Sequence, residues 1–299
     1  MYIKDIHKST KSKLIIYAEH ITLLYSTKKL NNIISRINDD LDKLKHWFEI
    51  NKVIVNVKKT SYIIFRSPQH ILPLNIPEVK YDNQTLQSCH STKFLGIHLD
   101  STLSWKNHIN HICKRIAVGI HYILRVRNFF PKHILHSIYT SFIETHLAYG
   151  IESWGSACPT TLKPLLTLQK RAVRIMHCLP PSASVSEVFA ISGILTIHQL
   201  AYYRIAILMH KIINEAINIT DLDISVDRRP VVLRTTSDTS LSVCGVKTNY
   251  GKQKIQYMGC KLWNELDASL KGLKSLSLFS KEVKNFTLYS DANLKSIIK

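Results

Sequence analysis

Apolar and polar positions at the start of the chain follow first the period of strands and then the period of a helix. Residues 13–25 hold two apolar runs separated by Glu19 and His20, which is typical of a β-hairpin with these two side chains at its tip. A helical period follows over 32–48. Its polar positions are interpreted as a solvated face, and they include Asp39, Asp40, Asp42, Lys43 and Lys45.

The next fifty residues favour short strands. The pattern predicts strands over 53–57 and 61–65, and the prolines of 66–90 favour loop with short strand pieces. Residues 94–99 predict a further strand, in which Gly96 indicates a bulge or a close backbone approach.

Helical periods dominate after Ser104. Pro131 suits the first turn of a helix whose apolar stripe is Ile134 or Leu135, followed by Ile138 and Phe142. Capping boxes are predicted at Ser184-x-x-Glu187 and Thr196-x-x-Gln199. The helix that the second box opens is predicted to run through Leu200, Tyr203, Ile207, Leu208 and Ile212. The other predicted helices cover 109–123, 162–176, 262–270 and 276–288.

Together these elements predict an α+β fold with a mainly α-helical C-terminal region. Three parts are expected: 1–100, a helical region over 101–217, and 218–299, which begins with a polar linker and ends in short helices.

The charge favours a polyanionic partner. Forty Lys and Arg against 21 Asp and Glu give a formal net charge of +19, and both halves of the chain are positive. A positive field of this kind favours RNA, DNA or acidic lipid, and a basic protein that binds none of them is the alternative.

No apolar run approaches a membrane span, and the first residues lack an apolar stretch of signal-peptide length, so we expect an intracellular protein of the nucleus or cytoplasm. The six cysteines are scattered and expected to be reduced. His108, His111 and Cys113 lie close together, but they share no single helical face, and a zinc site there is disfavoured. The four tryptophans are expected in the core: Trp47, Trp105, Trp154 and Trp263.

The motif that points to a family is Tyr17-Ala18-Glu19-His20 at the predicted hairpin tip. It resembles the Y-A-D-D of reverse transcriptases, and the segments around it are similar to non-LTR (LINE-type) retrotransposon reverse transcriptases in order and spacing. These segments include KFLGIHLDSTLSWKNHINHICKRI, SIYTSFIETHLAYGIESWGS, LQKRAVRIM and NYGKQKIQYMGCKLWNEL. The resemblance covers about the whole chain and implies the end of a polymerase palm, a thumb and a C-terminal helical region.

The resemblance assigns roles to individual positions. Glu19 and His20 fall on the metal-binding aspartates, and Lys59 becomes a candidate to neutralise triphosphate charge or to protonate pyrophosphate. Solvent exposure at a strand edge is the structural alternative for Lys59. Asn56 and Thr60 complete an N-x-x-K-T block beside the incoming nucleotide. Phe94, Leu95 and Gly96 match a primer-grip block, which is also compatible with a buried hairpin strand.

Departures from the family pattern argue against catalysis. Active relatives place Mg²⁺ ions on aspartates, whereas Glu19 is one methylene longer and His20 offers nitrogen, which Mg²⁺ uses poorly. A misplacement of roughly 1 Å costs about 10²-fold in rate. We expect the third carboxylate and the fingers to lie before the start of this chain. No bound cofactor or metal, and no polymerase activity, is therefore expected.

Basic side chains of the helical region fall in the family's thumb and in the helices after the thumb. They are candidates for phosphate contacts with a template–primer, and solvated helix faces are an equal alternative. The positions are Lys114, Arg115, Arg125, Arg127, Lys132, Lys170, Arg171 and Arg174.

Three hypotheses arise from the sequence. The chain is a degenerate retroelement protein that binds RNA or DNA without catalysis, or a structural or interaction protein that has lost this binding. The third hypothesis is that it forms one piece of a longer reading frame, in which Glu19 and His20 would still replace the two aspartates.

Overall fold

The structure is a computed structural model that describes residues 5–27, 30–73, 75–217, 240–243 and 245–289, apart from the side chains of 30 and 31. The chain divides into two compact units, Met1–Leu103 and Ser104–Lys299. Short strands with one long helix form the first unit and helices form the second, so the architecture is α+β, as predicted.

The first unit packs small β-ladders and one helix. Its helix is α1 (Leu30–Ile50), and its strands are β1 (Lys13–Tyr17), β2 (His20–Leu24), β3 (Ser61–Tyr62), β4 (Lys80–Tyr81), β5 (Gln84–Thr85), β6 (Gln87–Ser88), β7 (Ser91–Phe94) and β8 (Ile97–Asp100). The pairs β1–β2, β4–β5 and β7–β8 are antiparallel, and β3 pairs with β6 in parallel.

The apolar face of α1 organises the core of the first unit. Near its start, Ile34 and Leu41 pack with Val79, Tyr81 and Leu86. Near its end, a second cluster joins helix residues to Ile6 and to the half-buried apolar side chains of the first hairpin. The helix residues of this cluster are Leu44, Trp47 and Phe48, and the hairpin residues are Leu14, Ile21 and Leu23.

Two predicted strands of this unit are wrong in part. Residues 53–56 form no ladder, and Val57–Lys59 is a turn of 3-10 helix. The predicted strand 61–65 shortens to Ser61–Tyr62. Apolar alternation indicates an extended chain, but a ladder needs a partner, and Ile54 is 96% exposed.

The second unit is a set of packed helices. They are α2 (Lys106–Val126), α3 (Lys132–Tyr139), α4 (Thr145–Ala148), α5 (Ile151–Trp154), α6 (Pro159–Met176), α7 (Ser186–Ile191), α8 (Ile197–Ile213), α9 (Asn249–Lys252), α10 (Ile255–Glu265), α11 (Ala268–Lys271) and α12 (Leu276–Tyr289). The predicted linker falls largely on 218–239, which lie outside the described residues. Within the described ranges, no helix has the length and apolar character needed to span a bilayer.

A turn of π-helix, Thr140–Glu144, joins α3 to α4 and corrects the predicted stripe. The buried residues have a spacing of four: Leu135, Tyr139, Ile143 and Leu147. Phe142 is 45% exposed, contrary to its predicted place in the core. The wider π turn keeps residues four apart on one side, which an α-helix of this length does less well.

The capping boxes have opposite outcomes. Thr196 accepts the backbone N–H of Gln199, and the Gln199 side chain accepts the backbone N–H of Thr196, so this box is confirmed. The box predicted at Ser184 is wrong, because α7 begins after Val185 and has no side-chain cap.

The helix predicted after Thr196 is confirmed as α8, which contains all five predicted apolar positions, but only Leu200 among them is fully buried. The buried positions instead include Tyr202, Ile205 and Met209, while Tyr203 and Ile207 are half-buried. The helix contacts α4, α5, α6, α10 and α12, so it is enclosed on most of its circumference. A helix that is apolar nearly all round has no single stripe to predict from period alone.

Candidate functional site

The predicted hairpin is confirmed, and its tip consists of Ala18 and Glu19. Tyr17 pairs with His20, which begins β2 and so lies beside the turn rather than within it. Ala18 has a φ of +50°, in the left-handed region. Because two-residue hairpin turns require such angles, the backbone is typical of a tight hairpin.

The side chains of Glu19, in the turn, and of His20, beside it, are both solvated. Glu19 and His20 are 81% and 69% exposed, with 4.0 Å between Oε1 of the glutamate and Nε2 of the histidine. Within the described ranges, no group of three or more His, Cys, Asp or Glu side chains is arranged to hold a metal ion. A single exposed carboxylate beside an imidazole does not fit the all-oxygen, closely spaced donor set that a pair of Mg²⁺ ions needs.

The base of the hairpin, in contrast, is tied to α1 by Asp40. Ser12 precedes β1 and donates a hydrogen bond of 2.5 Å to Oδ2 of Asp40, and Tyr25 follows β2 and donates one of 3.1 Å to the same oxygen. Asp40 is 7% exposed, so its prediction as a solvated position is wrong. The sequence pattern did not predict the burial of Asp40, because an aspartate between charged neighbours is typical of a solvent-exposed helix face.

The electrostatics of Asp40 reflect these bonds. Burial raises the pKa of its carboxyl, but the hydrogen bonds from Ser12, Thr10 and Tyr25, together with the charge of Lys43, outweigh burial and hold that pKa below its usual value. Burial, with the charge of Asp40, raises the pKa of Tyr25 to about 12. Both partners therefore favour the pairing of a neutral phenol with an ionised carboxylate.

The Asn56-x-x-Lys59-Thr60 block forms a local turn. The side-chain oxygen of Asn56 accepts the backbone N–H of Lys59 at 3.2 Å, and Oγ1 of Thr60 donates to the backbone oxygen of Asn56 at 3.0 Å. Asn56 and Lys59 are exposed, and Thr60 is half-buried. Asn56 thus has a structural part as the cap of this turn, while the ammonium of Lys59 is accessible to an anion.

The predicted strand over 94–99 is wrong, because its middle is a turn. Phe94 ends β7, Ile97 begins β8, and the two residues between them have φ angles of +45° at Leu95 and +83° at Gly96. The glycine therefore serves the turn rather than a bulge. The side chain of Leu95 is 38% exposed at the tip of this second hairpin.

The predicted phosphate-binding cations differ in exposure. Lys114, Arg115 and Arg125 on α2, Lys132 at the start of α3 and Arg171 on α6 are exposed, while Arg127, Lys170 and Arg174 are half-buried. Nε of Arg174 donates to the backbone oxygen of Ala183 at 2.9 Å, so this guanidinium braces the segment after α6. Residues 101–143 hold six Lys or Arg and no Asp or Glu, so the exposed cations of α2 have no acidic neighbour within this stretch of sequence.

Among the residues weighed as a zinc site, His108 is part of the packing of the second unit, and His111 and Cys113 are half-buried. The His108 ring lies edge-on to Trp154, with centroids 5.3 Å apart, and His108 is 3% exposed. The core positions predicted for the tryptophans are confirmed, since all four are buried. Five cysteines are free thiols, and Cys244 lies outside the described residues.

The chain is similar in sequence to RNA-directed DNA polymerases of mobile elements. The chain is 22% identical over 179 residues to "Probable RNA-directed DNA polymerase from transposon X-element" of Drosophila melanogaster, a match that covers 58% of this chain and 19% of that protein. It is 25% identical to "Probable RNA-directed DNA polymerase from transposon BS" of the same species, over 57% of this chain and 19% of the relative.

A third relative is the RNA-directed DNA polymerase from the mobile element jockey of Drosophila melanogaster, 24% identical over 55% of this chain and 18% of the relative. The chain therefore matches about a fifth of the length of these relatives. Neither a protein-family model nor a solved structure matches it.

Proposed function

The chain is a homologue of RNA-directed DNA polymerases from non-LTR retrotransposons, and we propose that it binds RNA or DNA without polymerase activity. The loss of activity is inferred from the first hairpin, where Glu19 in the turn and His20 beside it occupy the positions that the family resemblance assigns to two aspartates.

The chemistry of the tip supports this proposal. Two-metal phosphoryl transfer needs carboxylate oxygens that hold both ions roughly 3.5–4 Å apart. Glu19 supplies one carboxylate, which is 81% exposed and therefore free to rotate in solvent. His20 supplies nitrogen, a poor ligand for Mg²⁺.

The other blocks of the proposed site would act on the ligand rather than on a metal. The exposed ammonium of Lys59 would meet a phosphate, and the second hairpin, with Leu95 and Gly96 at its tip, would contact a primer strand. In this proposal the first unit is a palm remnant, and the helices after Ser104 include a thumb.

Nucleic-acid binding is supported by the second unit. The cations of α2 and the exposed Arg171 of α6 belong to helices that pack against each other, and neither helix contains an acidic residue. An array of this kind attracts a phosphate backbone whatever its base sequence. Affinity should therefore fall steeply as salt rises.

Primer extension tests the proposed loss of activity. The purified chain is incubated with a primed RNA template, deoxynucleotides and either Mg²⁺ or Mn²⁺, beside an active reverse transcriptase. We expect no extension with either ion. Extension that depends on the added metal would overturn the proposal.

Metal binding at the tip provides a test that does not depend on activity. The double variant Glu19→Asp with His20→Asp rebuilds the two carboxylates of the family motif. Mn²⁺ titration, followed by paramagnetic broadening of signals near Tyr17, should show tighter binding by the double variant. A control variant, Lys13→Asp in the same hairpin, should bind as the wild type does. Equal Mn²⁺ affinity of the wild type and the double variant would show that the loss of the two aspartates does not explain the proposed loss of activity.

Charge reversal tests nucleic-acid binding. Lys114→Glu with Arg125→Glu should weaken binding to a primer–template by roughly tenfold or more and reduce its salt dependence. The matched control, Lys274→Glu with Lys281→Glu, changes the net charge equally at exposed positions of the C-terminal region. A flat salt response in the wild type would favour the alternative, an interaction protein without nucleic-acid binding.

A further inference from the structure

Two half-exposed aromatic rings meet on the surface of the second unit. Tyr122 of α2 and Phe142 of the π turn have ring centroids 5.1 Å apart and an interplanar angle of 73°. Tyr122 is 44% exposed and Phe142 is 45% exposed. Apolar area that is contiguous and exposed in this way is typical of a surface that contacts a ligand or a partner.

A close approach of the backbone holds this pair in place. Gly119 lies one turn before Tyr122, and a Cβ atom there would be 3.0 Å from the backbone oxygen of Phe142 and 2.9 Å from Cγ1 of Ile143. Because Gly119 has no side chain, α2 can lie against the π turn. The two rings are thereby fixed on neighbouring elements of the same unit.

The surroundings of the rings are cationic and apolar. On α2, Val118 and Arg125 lie about one helical turn from Tyr122, and Lys114 lies about two turns from it. All three are therefore on the same exposed side of the helix as Tyr122. Val118 is 49% exposed. The nearest acidic residue in sequence is Glu144, which is half-buried two residues after Phe142.

We propose that this surface stacks the unpaired bases of a single-stranded nucleic acid. The surface is called the aromatic–basic face and consists of Lys114, Arg115, Val118, Tyr122, Arg125 and Phe142. The inference rests on the proposed nucleic-acid binding and adds to it the strand state of the ligand and the residues that recognise it.

The chemistry of the face favours a single strand over a duplex. In a duplex the bases are already stacked on each other and offer only edges and phosphates to a protein surface. An unpaired base presents its whole face, and stacking of that face on an aromatic ring is tolerant of sequence. The cations beside the rings would then follow the phosphates between stacked bases.

The positive charge also distinguishes the ligand from a protein partner. Residues 101–143 hold no acidic side chain, so they offer no local salt-bridge partner to basic groups on a second protein. A polyanion with flat apolar rings complements both properties of the face. A single-stranded nucleic acid is such a molecule.

The test compares two ligands and two variants of the full chain. Fluorescence polarisation is measured with an oligodeoxythymidylate of about 12 nucleotides and with a blunt duplex of the same length. Tyr122→Leu with Phe142→Leu removes the rings but keeps apolar side chains. The matched control, Phe65→Leu, removes a ring that is also 45% exposed but lies in the first unit.

We expect the double leucine variant to lose roughly tenfold in affinity for the single strand and to keep its affinity for the duplex. Its salt dependence should stay unchanged, because no charge is altered. An oligonucleotide that contains 2-aminopurine should lose fluorescence on binding to the wild type and to the control, but less on binding to the double variant. Circular dichroism melting of all variants checks that each is folded.

The outcomes separate the two proposals. Unchanged single-strand affinity in the leucine variant, with binding that still falls on charge reversal of Lys114 and Arg125, would overturn the stacking inference alone and leave the proposed nucleic-acid binding standing. Equal losses on both ligands would also overturn it. Absence of salt-dependent binding in the wild type would overturn the proposed function and the inference with it.

Discussion

The phenol of Tyr25 donates a hydrogen bond of 3.1 Å to the carboxylate of Asp40, across the interface between the first hairpin and α1. Ser12, on the other side of the hairpin base, donates to the same oxygen. One buried carboxylate of α1 therefore binds the residue before β1 and the residue after β2 and holds both strands of the hairpin against the helix. These hydrogen bonds fix the base of the hairpin on α1 and thereby position the turn near Glu19 and His20, although the side chains of these two residues are solvated.

Substitution of Asp40 should destabilise the first unit. Asp40→Asn keeps the shape but removes the negative charge that strengthens the hydrogen bonds from Ser12 and Tyr25 and that faces Lys43, whose Nζ lies 3.5 Å from Oδ1. We expect a loss of about 1–3 kcal/mol in the free energy of unfolding. Urea unfolding measures it, with the exposed neighbour variant Asp39→Asn as a control that should change little. Equal stability of the two variants would contradict a role for the buried carboxylate.

The contribution of Asp40 should depend on acid pH. Its pKa in the folded chain lies below the usual value, since three hydrogen bonds and the charge of Lys43 together outweigh the effect of burial. The stabilisation is therefore fully present above the unfolded pKa of about 4 and is lost as pH falls through the folded pKa. The difference in unfolding free energy between wild type and Asp40→Asn should be constant near neutral pH and shrink below about pH 4. A difference that persists at lower pH would assign the effect to shape rather than charge.

The buried amide of Gln169 should be essential to the second unit. Gln169 is fully buried, donates to the hydroxyl of Tyr139 at 3.0 Å and to the backbone oxygen of Leu195 at 3.2 Å, and accepts the N–H of Ile197 at 2.7 Å. Gln169→Leu leaves these buried groups without partners.

We expect Gln169→Leu to cost about 3 kcal/mol or more, because each orphaned buried group costs about 1–3 kcal/mol. Thermal unfolding of the full chain measures the loss. Lys163→Ala, at an exposed position of the same helix, is the control and should shift the midpoint little. Similar midpoints for both variants would show that Gln169 does not join these segments.

The close approach at Gly119 should tolerate no side chain. Gly119→Ala places Cβ 3.0 Å from a backbone oxygen, which cannot swing away as a flexible side chain could. The gain in helix propensity, up to about 1 kcal/mol, is smaller than the overpacking cost expected, about 1–3 kcal/mol. Chemical unfolding should show a net loss of stability for this variant.

The control for this substitution is Gly272→Ala, where a Cβ would be 3.5 Å from the nearest atom, the backbone oxygen of Ala268. This variant should be neutral or slightly more stable. If Gly119→Ala were as stable as Gly272→Ala, α2 and the π turn would not be in the tight contact described.

Several features of the fold were predictable because they depend on neighbours in sequence. The first hairpin follows from two apolar runs with a polar pair between them, and the cap at Thr196 follows from a glutamine three residues later. Burial of the tryptophans follows from their apolar area. The strand predicted over 94–99 was wrong because an apolar run does not reveal a turn whose first residue is Leu95.

The sequence by itself determined the α+β class, the hairpin that carries Glu19 and His20, and the resemblance to a polymerase family, because these depend on local period and residue identity. Only the tertiary structure decided that Asp40 and Gln169 are buried, and that Phe142 is exposed beside Tyr122. The physical reason is distance along the chain. Asp40 and Ser12 are 28 positions apart, Gln169 and Tyr139 are 30 apart, and these buried polar side chains are satisfied by partners that no local pattern in the sequence reveals.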